Sequence, residues 1–249
     1  MARILEVCID SLASARAAIK GGADRIELCS ALSLGGLTPY TALLRQIREE
    51  SDFPIRCLMR PRAGDFLYSQ EEIDLMVRQI KELKAAGANG FVIGCLTEHG
   101  NLDNDALKPL IDAADGAALT LHRCIDVSCD PAETYLQAQH LGFDTVLTSG
   151  AASSCMAGLE TIHTLLSLRD SNNGPEVLIG AGVSPENIHS ILAELPQATA
   201  FHASCKSMIE SPMVFRRADV PMGLPGLDEW HIQQTDEAAV RKLRKILDT

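Results

Sequence analysis

Two stretches near the start of the chain space an acid and a thiol in the same way, Glu6-Val7-Cys8 and Glu27-Leu28-Cys29, with Asp10 two residues beyond the first. Carboxylates move protons or pair with cations, and thiolates are soft donors that select Cu(I) or zinc over harder ions. Further along, Met59-Arg60-Pro61-Arg62 offers two guanidinium groups, the side chains best shaped to hold a carboxylate or phosphate. His122-Arg123-Cys124-Ile125-Asp126 adds an imidazole and another acid, and Thr148-Ser149-Gly150 adds hydroxyls. Gly180-Ala181-Gly182 is a glycine turn ahead of a helix start, where backbone N–H groups suit an anion, and His202 and Ser204 follow it. Glu6, Glu27, His122 and Asp126 are therefore the candidates for proton transfer. Arg60, Arg62, Ser149, Gly180, Gly182, His202 and Ser204 are the candidates for gripping an anion. Cys8 and Cys29, if level on adjacent strands, form a two-coordinate Cu(I) site, although cysteine is also among the residues most often buried for packing alone. The eight cysteines include no Cys-x-x-Cys pair, and a zinc centre built on His122 and His202 needs its third ligand from Glu6 or Glu27.

These residues meet only if the chain brings strand ends together. Short apolar and β-branched runs recur at Ile4 to Ile9, Arg25 to Ser30, Ile55 to Pro61, Gly90 to Leu96, Ala118 to Asp126, Thr145 to Gly150, Glu176 to Gly182 and Ala198 to Ser204. Segments with helical period separate them. Ser69 with Glu72 reads as a capping box, and Asp130-Pro131 and Ser184-Pro185 each place a capping side chain before a proline. Gly21-Gly22 and Gly87 are stop signals. Alternating strands and helices call for parallel pairing, and 249 residues match the roughly 250 of a closed eightfold barrel. The expected fold is thus α/β, a single-domain (β/α)8 TIM barrel over residues 1–249. An open doubly wound sheet is the alternative, but no Gly-x-Gly-x-x-Gly follows the first strand, so no nucleotide cofactor is expected. Alternation turns Leu5, Val7 and Ile9 toward the helices and Glu6, Cys8 and Asp10 inward, with Glu27 and Cys29 inward on the next strand. Buried carboxylates need partners, and Arg60, Arg62, His122 and Arg123 on strands three and five are the ones expected. Residues 207–234, with Pro212, Pro221, Pro225 and the one Trp, Trp230, read as an irregular excursion over the barrel mouth or at a subunit contact.

Composition narrows the partners. The net charge of −11 repels nucleic acid and anionic membranes, and the basic run Arg241-Lys242-Leu243-Arg244-Lys245 fits the last turns of a helix. No apolar run approaches the ~18 residues of a membrane span. Glu6 and Asp10 interrupt the stretch a signal peptide would need, so a cytoplasmic protein with reduced cysteines is expected.

Several stretches together are similar to one known family. They are Glu6-Val7-Cys8 through Asp10, Gly21-Gly22-Ala23-Asp24-Arg25-Ile26-Glu27-Leu28-Cys29, Gly35-Gly36-Leu37-Thr38-Pro39, Met59-Arg60-Pro61-Arg62 with Gly64-Asp65-Phe66, Gly90-Phe91-Val92-Ile93-Gly94, His122-Arg123 with Asp126, and Leu147-Thr148-Ser149-Gly150. Over most of its length the chain resembles the CutC copper homeostasis family. It departs at Cys124-Ile125, where the family pattern reads Ala-Phe, and at Gly180-Ala181-Gly182, where it often reads three glycines. The resemblance implies a cytoplasmic TIM barrel, a homodimer or larger homo-oligomer, a role in copper tolerance, and Cu(I) ligation by Cys8 and Cys29. The residues themselves keep a second function open, since no copper site requires two arginines. That function is an enzyme acting on a small phosphorylated or carboxylated metabolite held by Arg60 and Arg62, with His122 or Glu27 moving protons. A third reading is a stable scaffold with a vestigial site.

Overall fold

The inward and outward alternation is realised in eight short strands of a computed structural model, which describes residues 3–217, 220 and 228–249. They are β1 (Ile4–Ile9), β2 (Arg25–Leu28), β3 (Ile55–Leu58), β4 (Gly90–Ile93), β5 (Ala118–Leu121), β6 (Thr145–Thr148), β7 (Glu176–Ile179) and β8 (Ala200–Ala203). Each is parallel to the next, and β8 returns to β1 with Glu6 opposite His202, which closes the sheet. The connecting helices are α1 (Leu12–Gly21), α2 (Thr41–Arg48), α3 (Gln70–Ala85), α4 (Asn104–Ala114), α5 (Pro131–His140), α6 (Leu159–Asn172), α7 (Ile188–Glu194) and α8 (Glu237–Leu247). The chain is a (β/α)8 TIM barrel.

The outward strand residues Leu5, Val7, Ile9, Ile26 and Leu28 are completely buried against the helices, in one continuous apolar core. Inside the barrel the apolar contacts are sparse and split in two: Cys8, Cys29, Leu58 and Val92 on one side, Leu147, Leu178 and Ala200 on the other. Polar groups fill much of the remainder. Arg56 crosses the interior from β3, donating to the hydroxyls of Thr120 and Thr145 and, at 2.6 Å, to Asp144. Gly90 makes room for it, because a Cβ there would lie 2.6 Å from the Ala118 carbonyl and 3.1 Å from Arg56 Cγ.

Local signals act where they were expected, with two exceptions. Ser69 and Glu72 form a reciprocal capping box on α3, and Asp130 caps α5 with Pro131 in its first turn. Gly22 takes the left-handed conformation at φ 91° and ends α1. Ser184-Pro185 opens a turn instead of a helix; Asn187 caps α7, and its Oδ1 accepts from the Ser184 N–H. The run beginning at Ala118 stops at Leu121, because His122 accepts the Cys124 N–H on its ring nitrogen and folds Arg123–Val127 into a 3-10 turn. A side chain that satisfies the backbone locally competes with the sheet ladder.

The segment 207–234 is more regular than its prolines imply. β9 (Lys206–Glu210) and β10 (His231–Thr235) pair antiparallel, with Ile232 opposite Ile209, and the Thr235 N–H donates to Ser14 on α1. Pro212 lies just beyond β9, whereas Pro221 and Pro225 lie outside the described residues. Among the described residues no helix is long and apolar enough to cross a membrane.

The crowding at Gly90 makes a test of the interior packing. Gly90→Ala should destabilise the chain by about 1–3 kcal/mol, the cost of overfilling a packed core. Urea unfolding would show this as a lower midpoint with an unchanged slope.

Candidate functional site

The strand ends surround a cavity of about 500 Å³, lined among others by Cys8, Glu27, Arg60, His122, Arg123 and His202. Its two walls differ in chemistry.

On the first wall, strand register sets Cys8 of β1 directly opposite Glu27 of β2. His202 reaches them from β8, and its Nε2 lies 2.7 Å from Glu27 Oε2. One donor atom from each of Cys8, Glu27 and His202 falls within 4.8 Å of the others, and among the described residues this is the group arranged to hold a metal ion. Burial alone would drive the His202 proton off, but the negative charge offered by Cys8 and Glu27, with hydrogen bonds to both, outweighs it and raises the pKa well above the usual imidazole range. The surroundings of His202 thus favour its protonated form. Gly180 beside His202 makes room for Leu147, since a Cβ there would stand 2.8 Å from Leu147 Cδ1.

Cys29 is not level with Cys8. It sits two residues beyond Glu27, its N–H donates to the Ile9 carbonyl at 2.8 Å, and Gly36 covers its sulfur. It packs with Cys8, Leu58 and Val92, and burial first, then the charges of Glu27 and Cys8, push its thiol pKa well up. Such a thiol gives up its proton reluctantly. Glu6 lies beneath the cavity and does not line it: it is fully buried, ion-paired with Arg25, and 3.9 Å from His202 Nε2, with Oε1 left without a partner. The two glutamates thus draw their partners from β2 and β8, not from β3 and β5.

The second wall offers donors. Arg60 Nη1 donates to the carbonyls of Leu34 and Gly36 and Nη2 to that of Gly64, while its buried Nε has no partner. Its guanidinium lies over the Phe66 ring at 5.4 Å, and the His122 ring stands 4.7 Å from the same aromatic. Burial, then the Arg60 charge, lowers the His122 pKa to about 3. The ring is therefore neutral. Its Nδ1 accepts the Cys124 N–H at 3.2 Å, which puts the proton on Nε2, a buried atom with no partner. His122 is accordingly a hydrogen-bond donor here and not the base its residue type suggests. Gly94 gives the ring its place, because a Cβ there would be 2.5 Å from His122 Cε1.

Other expected site residues hold structure together. Asp126 accepts from Thr148 Oγ1 at 2.6 Å, from Arg123 Nε at 2.7 Å, from the Ser149 hydroxyl, and from the backbone N–H groups of Ser149 and Ala151. A carboxylate so engaged pins the turn after β6 and is not a free base. Ser149 is used up on Asp126 and Arg123 and does not line the cavity. Arg62 turns away to Glu72, Asp65 and the Leu67 carbonyl. Gly182 and Ser204 do line the mouth, as expected. Among the polar and aromatic residues that line it, Phe66 and Lys206 were not expected there. Arg123 was flagged by its place beside His122, but Phe66 and Lys206 belong to connections after strands, where no periodicity points inward.

The pattern that defines the CutC family matches residues 3–207. The copper homeostasis protein cutC homolog of Homo sapiens is 40% identical, over 98% of this chain and 88% of its own length. A family protein CutC of Agrobacterium fabrum is also 40% identical, over 98% of this chain and 94% of its own. The crystal structure of CutC from Streptococcus agalactiae superposes with a TM-score of 0.75 at 27% identity, covering 81% of this chain and 98% of that one. With residues 3–207 matched by the family pattern and relatives 40% identical over 98% of the chain, the chain belongs to the CutC family.

Proposed function

We propose that the chain serves copper homeostasis by holding Cu(I) as cargo at the barrel mouth, through Cys8 and His202 with Glu27 beside them and Cys29 close by. The observation that carries this reading is the Cys8, Glu27 and His202 cluster, three donors within 4.8 Å of one another from three neighbouring strands. Sulfur and imidazole nitrogen are the donors Cu(I) prefers, and at metal–ligand distances near 2.0–2.3 Å a spread of this size closes around one ion with little movement. The name of the human relative, a copper homeostasis protein, agrees with it. All eight cysteines are unpaired and seven are buried, which suits a cytoplasmic setting where thiols stay reduced.

A second reading has its own support: the cavity is far larger than one ion needs. About 500 Å³ is the size of a pocket for a small organic molecule, against roughly 30 Å³ for a water. Under this reading the chain is an enzyme acting on a small phosphorylated or carboxylated metabolite, with Arg60 on the anion and the Glu27–His202 pair as the proton-carrying groups.

We further infer a homodimer or larger homo-oligomer joined through the β9–β10 ribbon. Ile209 and Ile232 lie opposite each other on it and are exposed, and Val214 and Phe215, a few residues beyond β9, are exposed as well. An apolar patch of this kind is unusual on a monomer.

Titration of the reduced protein against a chromophoric Cu(I) chelator should give one ion per chain. Cys8→Ser should weaken binding by more than about 100-fold, beyond what the loss of an outer hydrogen bond causes. Unchanged affinity in that variant would sink the copper reading. Because His202 carries a proton that must leave before its nitrogen can coordinate, affinity should rise with pH by up to about tenfold per unit, levelling once the pH passes the raised His202 pKa. His202→Gln should remove that part of the slope. For the assembly, sedimentation should show a dimer or larger species that Ile232→Lys shifts toward the monomer.

A further inference from the structure

Arg60 and His122 stand against the same face of the cavity, and each keeps one buried N–H without an acceptor, on Nε and Nε2 respectively. Only neutral carbonyls receive the other Arg60 donors, and among the described residues no ion pair offsets its charge. A cation and a neutral donor kept from water without acceptors cost several kcal/mol together, unless something supplies both acceptors and a negative charge. His122 is 4% exposed, and Phe66 fixes both groups, stacking under the guanidinium and tilting against the imidazole.

The number of donors says which anion fits. Two N–H groups and one positive charge match the two oxygens and single charge of a carboxylate. A phosphate brings three acceptor oxygens and up to two charges, and it would leave most of them unpaired here. Much of the remaining lining is apolar, with Leu32, Leu34, Leu58, Val127 and Leu147 among it, and Arg123 and Asp126 beside His122 are ion-paired to each other. Resting on the metabolite reading above and deepening it, we propose that Arg60 Nε and His122 Nε2 form a subsite for the carboxylate of a small aliphatic acid whose carbon chain lies against those leucines. Arg62 takes no part, and His122 binds without moving a proton; its depressed pKa keeps it a donor throughout the physiological range.

The test uses the full chain, free of metal, with isobutyrate as the probe and inorganic phosphate as its comparison. Nitrogen-15 spectra of labelled histidine should show His122 neutral with its proton on Nε2 from pH 8 to pH 5. Adding isobutyrate should move that signal saturably, and phosphate should bind more weakly. Arg60→Gln should weaken isobutyrate roughly tenfold or more, as the loss of a charged hydrogen bond does. His122→Asn keeps an acceptor for the Cys124 N–H but lacks the Nε2 donor, so it should weaken binding several-fold, as the loss of a neutral hydrogen bond does, and remain folded by circular dichroism. Isobutyrate binding that persists unchanged in both variants, followed through the Gly182 and Ser204 amides, would overturn the subsite while leaving a metabolite cavity in place. Tighter binding of phosphate, lost in the same variants, would overturn the carboxylate assignment. No saturable response to either probe would overturn the subsite itself. Because binding is read without turnover and without copper, none of these results depends on the Cu(I) site or on an enzymatic activity.

Discussion

A barrel interior leaves no charge unattended, and in this chain the contact that answers the demand at the mouth is the 2.7 Å pairing of His202 with Glu27. Both side chains are carried inside by strand alternation, from β8 and β2, on either side of β1. Cys8 lies between them because the register of β1 against β2 sets it opposite Glu27. Remove the His202 ring, and the buried Glu27 loses its ion-pair partner, while Glu6 keeps Arg25. A buried carboxylate left without its partner costs several kcal/mol. The pairing is thus a condition for the fold at this end of the barrel as well as the source of its chemistry.

The fold was legible because its signals repeat. Eight apolar runs, the Ser69–Glu72 box and the Asp130-Pro131 cap each carry a local physical reason, and closure of the sheet follows from their number. Inward placement of Glu6, Cys8, Glu27 and Cys29 was legible too, since a period of two decides it. What alternation does not contain is the stagger between strands. A shift of two residues separates Cys8 opposite Cys29 from Cys8 opposite Glu27, and both arrangements keep every side chain on the same face. The partners of the glutamates were misjudged for a related reason. Arg25 lies at the strand start where a charged residue reads as solvated, and His202 belongs to the strand farthest away in sequence, yet closure makes β8 a neighbour of β1.

Residue type proved a poor guide to role wherever a loop decided the environment. Arg60 and Arg62 are two positions apart and look equivalent, but the first is folded under the Leu34 and Gly36 carbonyls and the second swings out to Glu72. Asp126 and His122 both look like acid–base groups. The five donors around Asp126 fix it as a brace for the turn after β6, and the single N–H from Cys124 decides the His122 tautomer. No pattern in a linear sequence registers such contacts, because they arise only after the strand has ended and the backbone has turned.

The two walls of the cavity are complementary in kind. One gathers a thiol, a carboxylate and an imidazolium, groups that hold a metal or exchange a proton; the other presents donors alone, Arg60 and a histidine whose titration is suppressed. A site meant only for an ion gains nothing from the second wall, since an uncompensated guanidinium near a cation raises the cost of binding it. A site meant only for an anion gains nothing from a thiol beside a carboxylate. The arrangement makes physical sense when the cavity is considered as one volume with two chemically different walls, Leu58 and Leu147 being among the apolar residues that line it. The difference between the walls orients whatever enters it, and that orientation is set by the same strand closure that holds His202 against Glu27.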